Sequence, residues 1–209
     1  MENYKKNLEL LTKNHVYSKE MEHDACGVGL IASTEGKKSR AIVEYGIEAL
    51  KAVWHRGAVD ADGKTGDGAG IHVEIPKDFF IEKIQVTGHD YDNSEICVGM
   101  IFLPRNDYSA QESCKTIVES ELTKNNFSIY GWRQVPVNPK VLGEKALQTM
   151  PEIIQVLFKS NDSNLLDKNL ERKIYETRKR IENKAFDASL NNFYICSISS
   201  KSIIYKGLY

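Results

Sequence analysis

The sixteen residues 55–70 contain five glycines and separate a helical pattern from a strand pattern. The helical pattern begins at Ser39, keeps its apolar residues on one face and is predicted to end near Trp54. The strand pattern covers residues 71–75. A conformationally permissive loop of this length between a helix and a strand is more often functional than not. The loop is therefore the first candidate region for a functional site.

Two common chemistries of Gly-rich or Asp-rich loops fail on spacing. A phosphate-binding P-loop has four residues between its glycines, whereas five residues separate Gly57 from Gly63, and a helical pattern precedes the loop where a strand is required. A calcium loop could start at Asp60, but its third ligand position is Lys64 and its twelfth is Ile71. The spacing therefore disfavours both nucleotide and calcium binding.

Charge and hydropathy exclude several classes of partner. The 209 residues include 28 Lys and Arg against 29 Asp and Glu, a net charge of -1, so no long-range field draws the chain to nucleic acid or an anionic membrane. The longest strongly apolar run, residues 96–103, is far shorter than the ~20 residues that span a bilayer. The length predicts one large domain.

The cysteines do not form a metal-binding pattern, because they contain no C-x-x-C pair and none of the usual zinc spacings. No metal site is predicted, and a reduced, cytoplasmic chain fits best. Cys97 and Cys196 fall within predicted strands, and Cys114 lies on the apolar face of a predicted helix. Cys97 and Cys196 are expected to be inert core residues, and Cys114 is expected to lie in the core.

Beyond the loop, strand and helix patterns alternate. Ser109 and Glu112 form a capping box that predicts the start of a helix. Residues 193–197 and 203–205 are predicted to form a hairpin. The other predicted elements are strands at residues 27–32, 95–103, 127–137 and 153–158 and helices at residues 141–149 and 166–181.

Cys26 follows a polar leader, residues 1–25, that has neither the Arg content of a transit peptide nor the apolar core of a secretory signal. Cleavage after Ala25 would leave the α-amino group of Cys26 within reach of its own thiol. One residue would then supply both the nucleophile and the base. The leader is interpreted as a propeptide and Cys26 as a candidate nucleophile; the alternative for Cys26 is a small buried hydrophobe.

Several short motifs carry a resemblance to a known family. Residues 24–29, Asp-Ala-Cys-Gly-Val-Gly, and residues 54–58, Trp-His-Arg-Gly-Ala, resemble the start of class II glutamine amidotransferases, which are N-terminal nucleophile hydrolases. Residues 55–70, 131–136 and 193–197 further resemble one branch of that family, the large subunit of glutamate synthase. The resemblance covers nearly all of the chain after the leader.

The resemblance implies a fold, a domain organisation and a reaction. The implied fold class is α+β, a partial αββα sandwich of the N-terminal nucleophile hydrolases with an α/β insertion. The implied domains are a propeptide at residues 1–25 and a type 2 glutamine amidotransferase domain at residues 26–209, incomplete at its C-terminal end. In the implied reaction, Cys26 hydrolyses glutamine through a thioester, and the released ammonia aminates 2-oxoglutarate elsewhere in the full-length enzyme. The implied substrate-binding residues are Arg56, Gly57, Asp67 and Gly68. The alternative for Arg56 and Gly57 is a structural turn after the first helix, and the alternative for Asp67 and Gly68 is a tight turn stabilised by an Asp side chain.

The resemblance also implies cofactors and partners. No cofactor is expected within these residues, whereas FMN and an iron–sulfur cluster are expected in the full-length enzyme. The expected partners are glutamine, the synthase domains of the same chain and a small NAD(P)H-oxidising subunit. Because the Asn-Gly oxyanion pair of the family is missing from the sequence, the 209 residues alone are expected to be almost inactive. The alternatives are another class II amidotransferase and a non-catalytic scaffold domain.

Overall fold

The computed structural model describes residues 2–14, 27–53 and 59–208. Helices and strands alternate through most of the described part of the chain, and a 3₁₀ turn covers Pro139–Val141. The helices are α1 (Glu2–Lys13), α2 (Arg40–Ala52), α3 (Lys77–Val86), α4 (Tyr108–Lys124), α5 (Glu144–Thr149) and α6 (Asp167–Asp187). The strands are β1 (Gly68–Glu74), β2 (Cys97–Leu103), β3 (Phe127–Gln134), β4 (Glu152–Ser160), β5 (Tyr194–Ser199) and β6 (Ser202–Leu208).

A four-stranded antiparallel sheet in the order β3-β4-β2-β5 forms the centre of the described part. Helices α4 and α6 pack together and cover one face of this sheet. The other face carries α3 and β6. Since both faces are covered, β2 is almost entirely buried and its sequence is a continuous apolar run, as expected for a two-sided strand.

Strands β1 and β6 form a second, two-stranded antiparallel sheet, with a register that runs from Gly68 opposite Leu208 to Glu74 opposite Ser202. This sheet stacks on the first one, where the fully buried Ile203 joins the apolar cluster of β2 and α3. Helix α2 packs against β1. The layers are thus the helix pair α4 and α6, the four-stranded sheet, the two-stranded sheet and helix α2. The predicted α+β class is confirmed.

The predicted hairpin of residues 193–197 and 203–205 is wrong, although both strands exist. Strand β5 pairs with β2, and β6 pairs with β1 in the other sheet. The side chains of β5 replace the missing ladder between them, because the Ser197 hydroxyl accepts from the Ile204 amide at 3.1 Å and the Cys196 thiol donates to the Ile204 carbonyl at 3.4 Å. Because β5 and β6 pair in different sheets, each strand buries its apolar residues in its own layer.

The predicted strand at residues 27–32 is also wrong. Residues 27–33 have no regular structure, and Val28 and Leu30 are 94% and 89% exposed. A strand is defined by its ladder partner, and within the described residues no strand pairs with this segment. The apolar residues of this segment are therefore not sufficient evidence for a strand.

The starts of α2 and α4 test the predicted helix caps, and one of the two predictions is correct. The Ser39 hydroxyl accepts from the Ile42 amide at 3.4 Å, which confirms Ser39 as the N-cap of α2. The predicted capping box at Ser109 is wrong. Asp107 caps α4 instead, with its carboxylate accepting from the Ala110 amide at 2.9 Å, so the helix begins one residue before Ser109.

The cysteines of the described residues match their prediction. Cys97, Cys114 and Cys196 are free and buried. Burial raises the pKa of the Cys114 thiol to about 11 and raises the pKa values of the Cys97 and Cys196 thiols as well, so the thiolate is disfavoured at each position. Their assignment to the core is confirmed. Separately, none of the helices in the described ranges is long and apolar enough to cross a membrane.

Candidate functional site

Three of the five predicted site residues, Cys26, Arg56 and Gly57, lie outside the residues that the structure describes. The other two, Asp67 and Gly68, are adjacent and solvent-exposed at the start of β1. The structure therefore brings together only one part of the predicted site, the second half of the Gly-rich loop and the strand that follows it.

The Gly-rich loop ends earlier than predicted, because Gly68 and Gly70 belong to strand β1. The cause is close backbone approach between β1 and β6. A Cβ atom on Gly70 would lie 2.8 Å from the carbonyl oxygen of Tyr205, a distance that real Cβ atoms do not show. A glycine is required at this position for the strands to pair, so part of the Gly content is structural.

Residues 59–66 form a closed turn immediately before Asp67. Val59 and Gly66 pair as an isolated antiparallel bridge. Inside the bridge, the Asp60 amide donates to the Thr65 carbonyl at 2.7 Å, and the Gly63 amide donates to the Asp60 carbonyl at 2.9 Å. Gly63 has φ +67°, a left-handed conformation that suits a glycine. The part of the loop next to Asp67 thus has a defined conformation.

Asp62 holds this turn together. Its Oδ1 accepts from the backbone amides of Lys64 at 2.9 Å and Thr65 at 2.6 Å, and its Oδ2 accepts from the Thr65 hydroxyl at 2.5 Å. These bonds, the Thr65 hydroxyl first, lower the pKa of the Asp62 carboxyl to about 2. The aspartate is therefore ionised at neutral pH and acts as the central acceptor of the turn.

The N-terminal end of helix α5 supports the turn from outside. Gly143, the buried residue before α5, leaves no space for a side chain, because a Cβ atom there would collide with Asp62 and Thr65. Lys145, in the first turn of α5, forms an ion pair with Asp60 at 2.6 Å, which is the largest cause of the lowered pKa of that carboxyl. The turn and the helix end thus meet through both a steric fit and a charged contact.

Sequence reasoning missed Asp62, Gly143 and Lys145. The local signal for Asp62 was present, since an Asp followed three residues later by Thr is typical of a side-chain-stabilised turn. The partners on α5 carry no local signal, because Lys145 lies 85 residues from Asp60 in the sequence.

A cleft of about 530 Å³ lies elsewhere, at the other end of the β1–β6 sheet. Its charged groups neutralise one another, as in the pairs Lys38–Glu74 at 2.6 Å and Lys77–Glu95 at 3.0 Å. Glu74 is six residues from Gly68 along β1, which corresponds to about 20 Å of strand. The cleft contains none of the predicted site residues.

Replacing Thr65 with Val should raise the pKa of the Asp62 carboxyl toward its ordinary value of 3.8, because the largest cause of the shift is lost. The depressed pKa means that Asp62 stabilises the turn above about pH 4 and that this contribution is lost as the pH falls toward 2. Carboxyl carbon NMR at pH 4 measures the effect: the Asp62 signal should indicate an ionised group in the wild type and a partly protonated one in Thr65→Val.

The Asp60 carboxyl is the internal control in the same spectra, since Lys145 and not Thr65 is its main partner. An Asp62 signal that is identical in the two proteins at pH 4 would contradict the assigned hydrogen bond.

Comparison with known proteins places this site in context. Residues 26–209 match the family of class II glutamine amidotransferases. The chain is 52% identical over 206 residues to the glutamate synthase (NADPH) large chain of Azospirillum brasilense, with 99% of this chain and 14% of the relative covered.

Similarity extends to ferredoxin-dependent glutamate synthases. The identity is 40% over 204 residues to that of Pyropia yezoensis, with 95% of this chain and 13% of the relative covered. It is 37% over 188 residues to ferredoxin-dependent glutamate synthase 2 of Synechocystis, with 90% and 12% covered. The chain thus spans about one seventh of the length of these relatives or less.

Proposed function

The chain belongs to the class II glutamine amidotransferases, and from this premise we propose that it is the glutaminase part of a glutamate synthase. The observation that carries the proposal is the extent of the family match, which begins at Cys26 and runs to residue 209. The choice of glutamate synthase within the family is supported by the 52% identity to a glutamate synthase large chain over almost all of this chain.

In the proposed reaction, Cys26 is the catalytic nucleophile. Its thiolate sulfur bonds to the side-chain carbonyl carbon of glutamine, a proton passes from the α-ammonium group of Cys26 to the leaving nitrogen, and ammonia departs. Water then attacks the γ-glutamyl thioester and breaks the C–S bond, which releases glutamate and restores the thiol. The ammonia aminates 2-oxoglutarate in another part of the full-length enzyme.

Arg56, Gly57, Asp67 and Gly68 are proposed to form the glutamine site around the nucleophile. A guanidinium at position 56 can hold the catalytic loop or an anionic group of the substrate. The carboxylate of Asp67 suits the α-ammonium group of an amino acid. The support for Asp67 and Gly68 is their exposure beside a turn of defined conformation.

The domain limits remain part of the proposal, with a propeptide at residues 1–25 and the amidotransferase domain at residues 26–209. The start of the family match immediately after residue 25 supports this division. Helix α1 of the leader supports it as well, because the side chains described there are exposed, including Leu10 and Leu11 at 58% and 42%. Removing such a segment would uncover little apolar surface.

FMN and an iron–sulfur cluster are proposed for other parts of the full-length enzyme. The described ranges contain no group of three or more His, Cys, Asp or Glu side chains that could hold a metal ion. The proposed partners are the synthase domains of the same chain and a small NAD(P)H-oxidising subunit, the latter supported by the NADPH-named relative. A cytoplasmic location is proposed, and the reduced thiols of Cys97, Cys114 and Cys196 support it.

Mass spectrometry of the purified full-length protein tests the proposal directly. We expect Cys26 to be the first residue and a reactive glutamine analogue, 6-diazo-5-oxo-norleucine, to alkylate it, with excess glutamine protecting against the label. A retained Met1 together with an unlabelled Cys26 would refute the glutaminase. A labelled Cys26 in a protein that does not aminate 2-oxoglutarate would instead indicate another class II amidotransferase.

A further inference from the structure

The turn of residues 59–66 is stabilised by several hydrogen bonds although many of its residues are exposed to solvent. Asp62, Gly63 and Lys64 are all exposed, so little apolar burial stabilises the turn. Nevertheless one carboxylate accepts three hydrogen bonds from Lys64 and Thr65, and the backbone amide of Glu144 on α5 also contributes to its ionised state. An exposed turn that uses this many charge-assisted bonds has a conformation set by them.

The turn connects the two halves of the proposed glutamine site. At one end, Gly66 closes the bridge and is followed directly by Asp67 and Gly68. At the other end, only Ala58 separates Gly57 from the bridging Val59 in the sequence. Closure of the bridge therefore fixes the backbone immediately before Asp67 and Gly68.

The end of α5 determines where the closed turn sits. The buried Gly143 has φ −72° and ψ 166°, which any residue can adopt, so the backbone does not require a glycine there. A glycine is nevertheless required at position 143 for packing, because a Cβ atom there would collide with the Asp62 carboxylate and with Thr65. The ion pair between Lys145 and Asp60 adds a second contact from the same helix end.

From this arrangement we propose that Asp62 and Gly143 are positioning residues for glutamine: Asp62 closes the turn, and Gly143 lets the turn seat against α5, so that Asp67 and Gly68 are held in their binding geometry. This inference rests on the proposed glutaminase function. It assigns to Asp62 and Gly143, neither of which was predicted as a site residue, a role in substrate affinity without contact between them and the reacting atoms.

Three variants of the full-length enzyme test the inference. Asp62→Ala removes the acceptor, Gly143→Ala adds the colliding methyl group, and Asp62→Asn keeps an oxygen that can accept from the Lys64 and Thr65 amides. The matched control is Asp162→Ala, because Asp162 also holds a turn by accepting from the Asn164 amide at 3.0 Å but lies between β4 and α6. The readouts are KM for glutamine, kcat with glutamine, ammonia-dependent synthesis and the rate at which the glutamine analogue labels Cys26.

We expect Asp62→Ala and Gly143→Ala to raise KM for glutamine on the order of tenfold, with a smaller change in kcat, since a misplaced binding group costs about this much or more. Labelling of Cys26 by the glutamine analogue should slow by a similar factor, while its labelling by iodoacetamide and the ammonia-dependent rate stay the same. Asp62→Asn should restore most of the affinity, and Asp162→Ala should behave as the wild type.

The outcomes separate this inference from the function on which it rests. An active wild type whose Asp62→Ala and Gly143→Ala variants keep a normal KM for glutamine overturns the positioning role alone. An equal loss of glutamine-dependent and ammonia-dependent rates in these variants also overturns it, because that pattern indicates general misfolding. A wild type that neither uses glutamine nor labels at Cys26 overturns the glutaminase and this inference together.

Discussion

Replacing Cys26 with Ala in the full-length enzyme should reduce glutamine-dependent glutamate synthesis on the order of 10⁴-fold or more, because the only proposed nucleophile is removed. Ammonia-dependent synthesis should remain largely intact, since free ammonia bypasses the glutaminase step. Steady-state assays with glutamine and with ammonium chloride as alternative nitrogen donors measure the two rates on the same preparation.

Cys114→Ala is the matched control for this experiment. Cys114 is a buried thiol in α4 whose pKa is raised to about 11, so it has little thiolate at neutral pH, and its replacement should leave both rates unchanged. If Cys26→Ala reduced both rates equally, Cys26 would have a structural role and the proposed mechanism would be wrong.

Replacing Phe158 with Ala should lower the free energy of unfolding by about 3–5 kcal/mol. Phe158 is fully buried in β4, and its ring stacks edge-on against Phe127 at a centroid distance of 5.3 Å. Helices α4 and α6 close the space around the two rings, so the cavity left by the substitution can collapse only in part. Urea unfolding of the 209-residue chain, followed by far-UV circular dichroism, measures the change.

Phe186→Ala provides the comparison, because Phe186 lies on α6 and is 80% exposed. Its replacement should change the free energy of unfolding by less than about 0.5 kcal/mol. Similar losses for the two substitutions would mean that the cluster around Phe158 does not carry the stability assigned to it. The slope of the urea dependence should stay constant in both variants.

Elements with a strong local pattern were predicted from the sequence. Strands β2 and β4 are short, strongly apolar runs, and each was found within two residues of its observed bounds. Helix α6 repeats its apolar residues at helical spacing and was also found, although it continues beyond the predicted end at residue 181 to Asp187. The family-like motifs likewise identified the amidotransferase family, which the match over residues 26–209 bears out. The Cys26 nucleophile and its glutamine site remain predictions.

The wrong predictions concern segments whose local sequence is compatible with more than one structure. Asp107 and Ser109 are both good helix caps, and the structure uses Asp107, whose carboxylate accepts from the Ala110 amide. The glycines at positions 68 and 70 are compatible with a flexible loop as well as with a tightly paired strand. They form a strand because they pair with β6. The conformation of Gly68 and Gly70 thus depends on a strand that is distant in the sequence.

The sequence by itself determined the positions of most helices and strands, the buried thiols and the family to which the chain belongs, because these follow from periodicity and from short motifs. Only the tertiary structure decided that β5 and β6 enter different sheets and that the turn around Asp62 seats on Gly143. The physical reason is that strand pairing and steric fit depend on which segments meet in space. The energy of burying apolar surface on two stacked sheets outweighs the local preference for a hairpin.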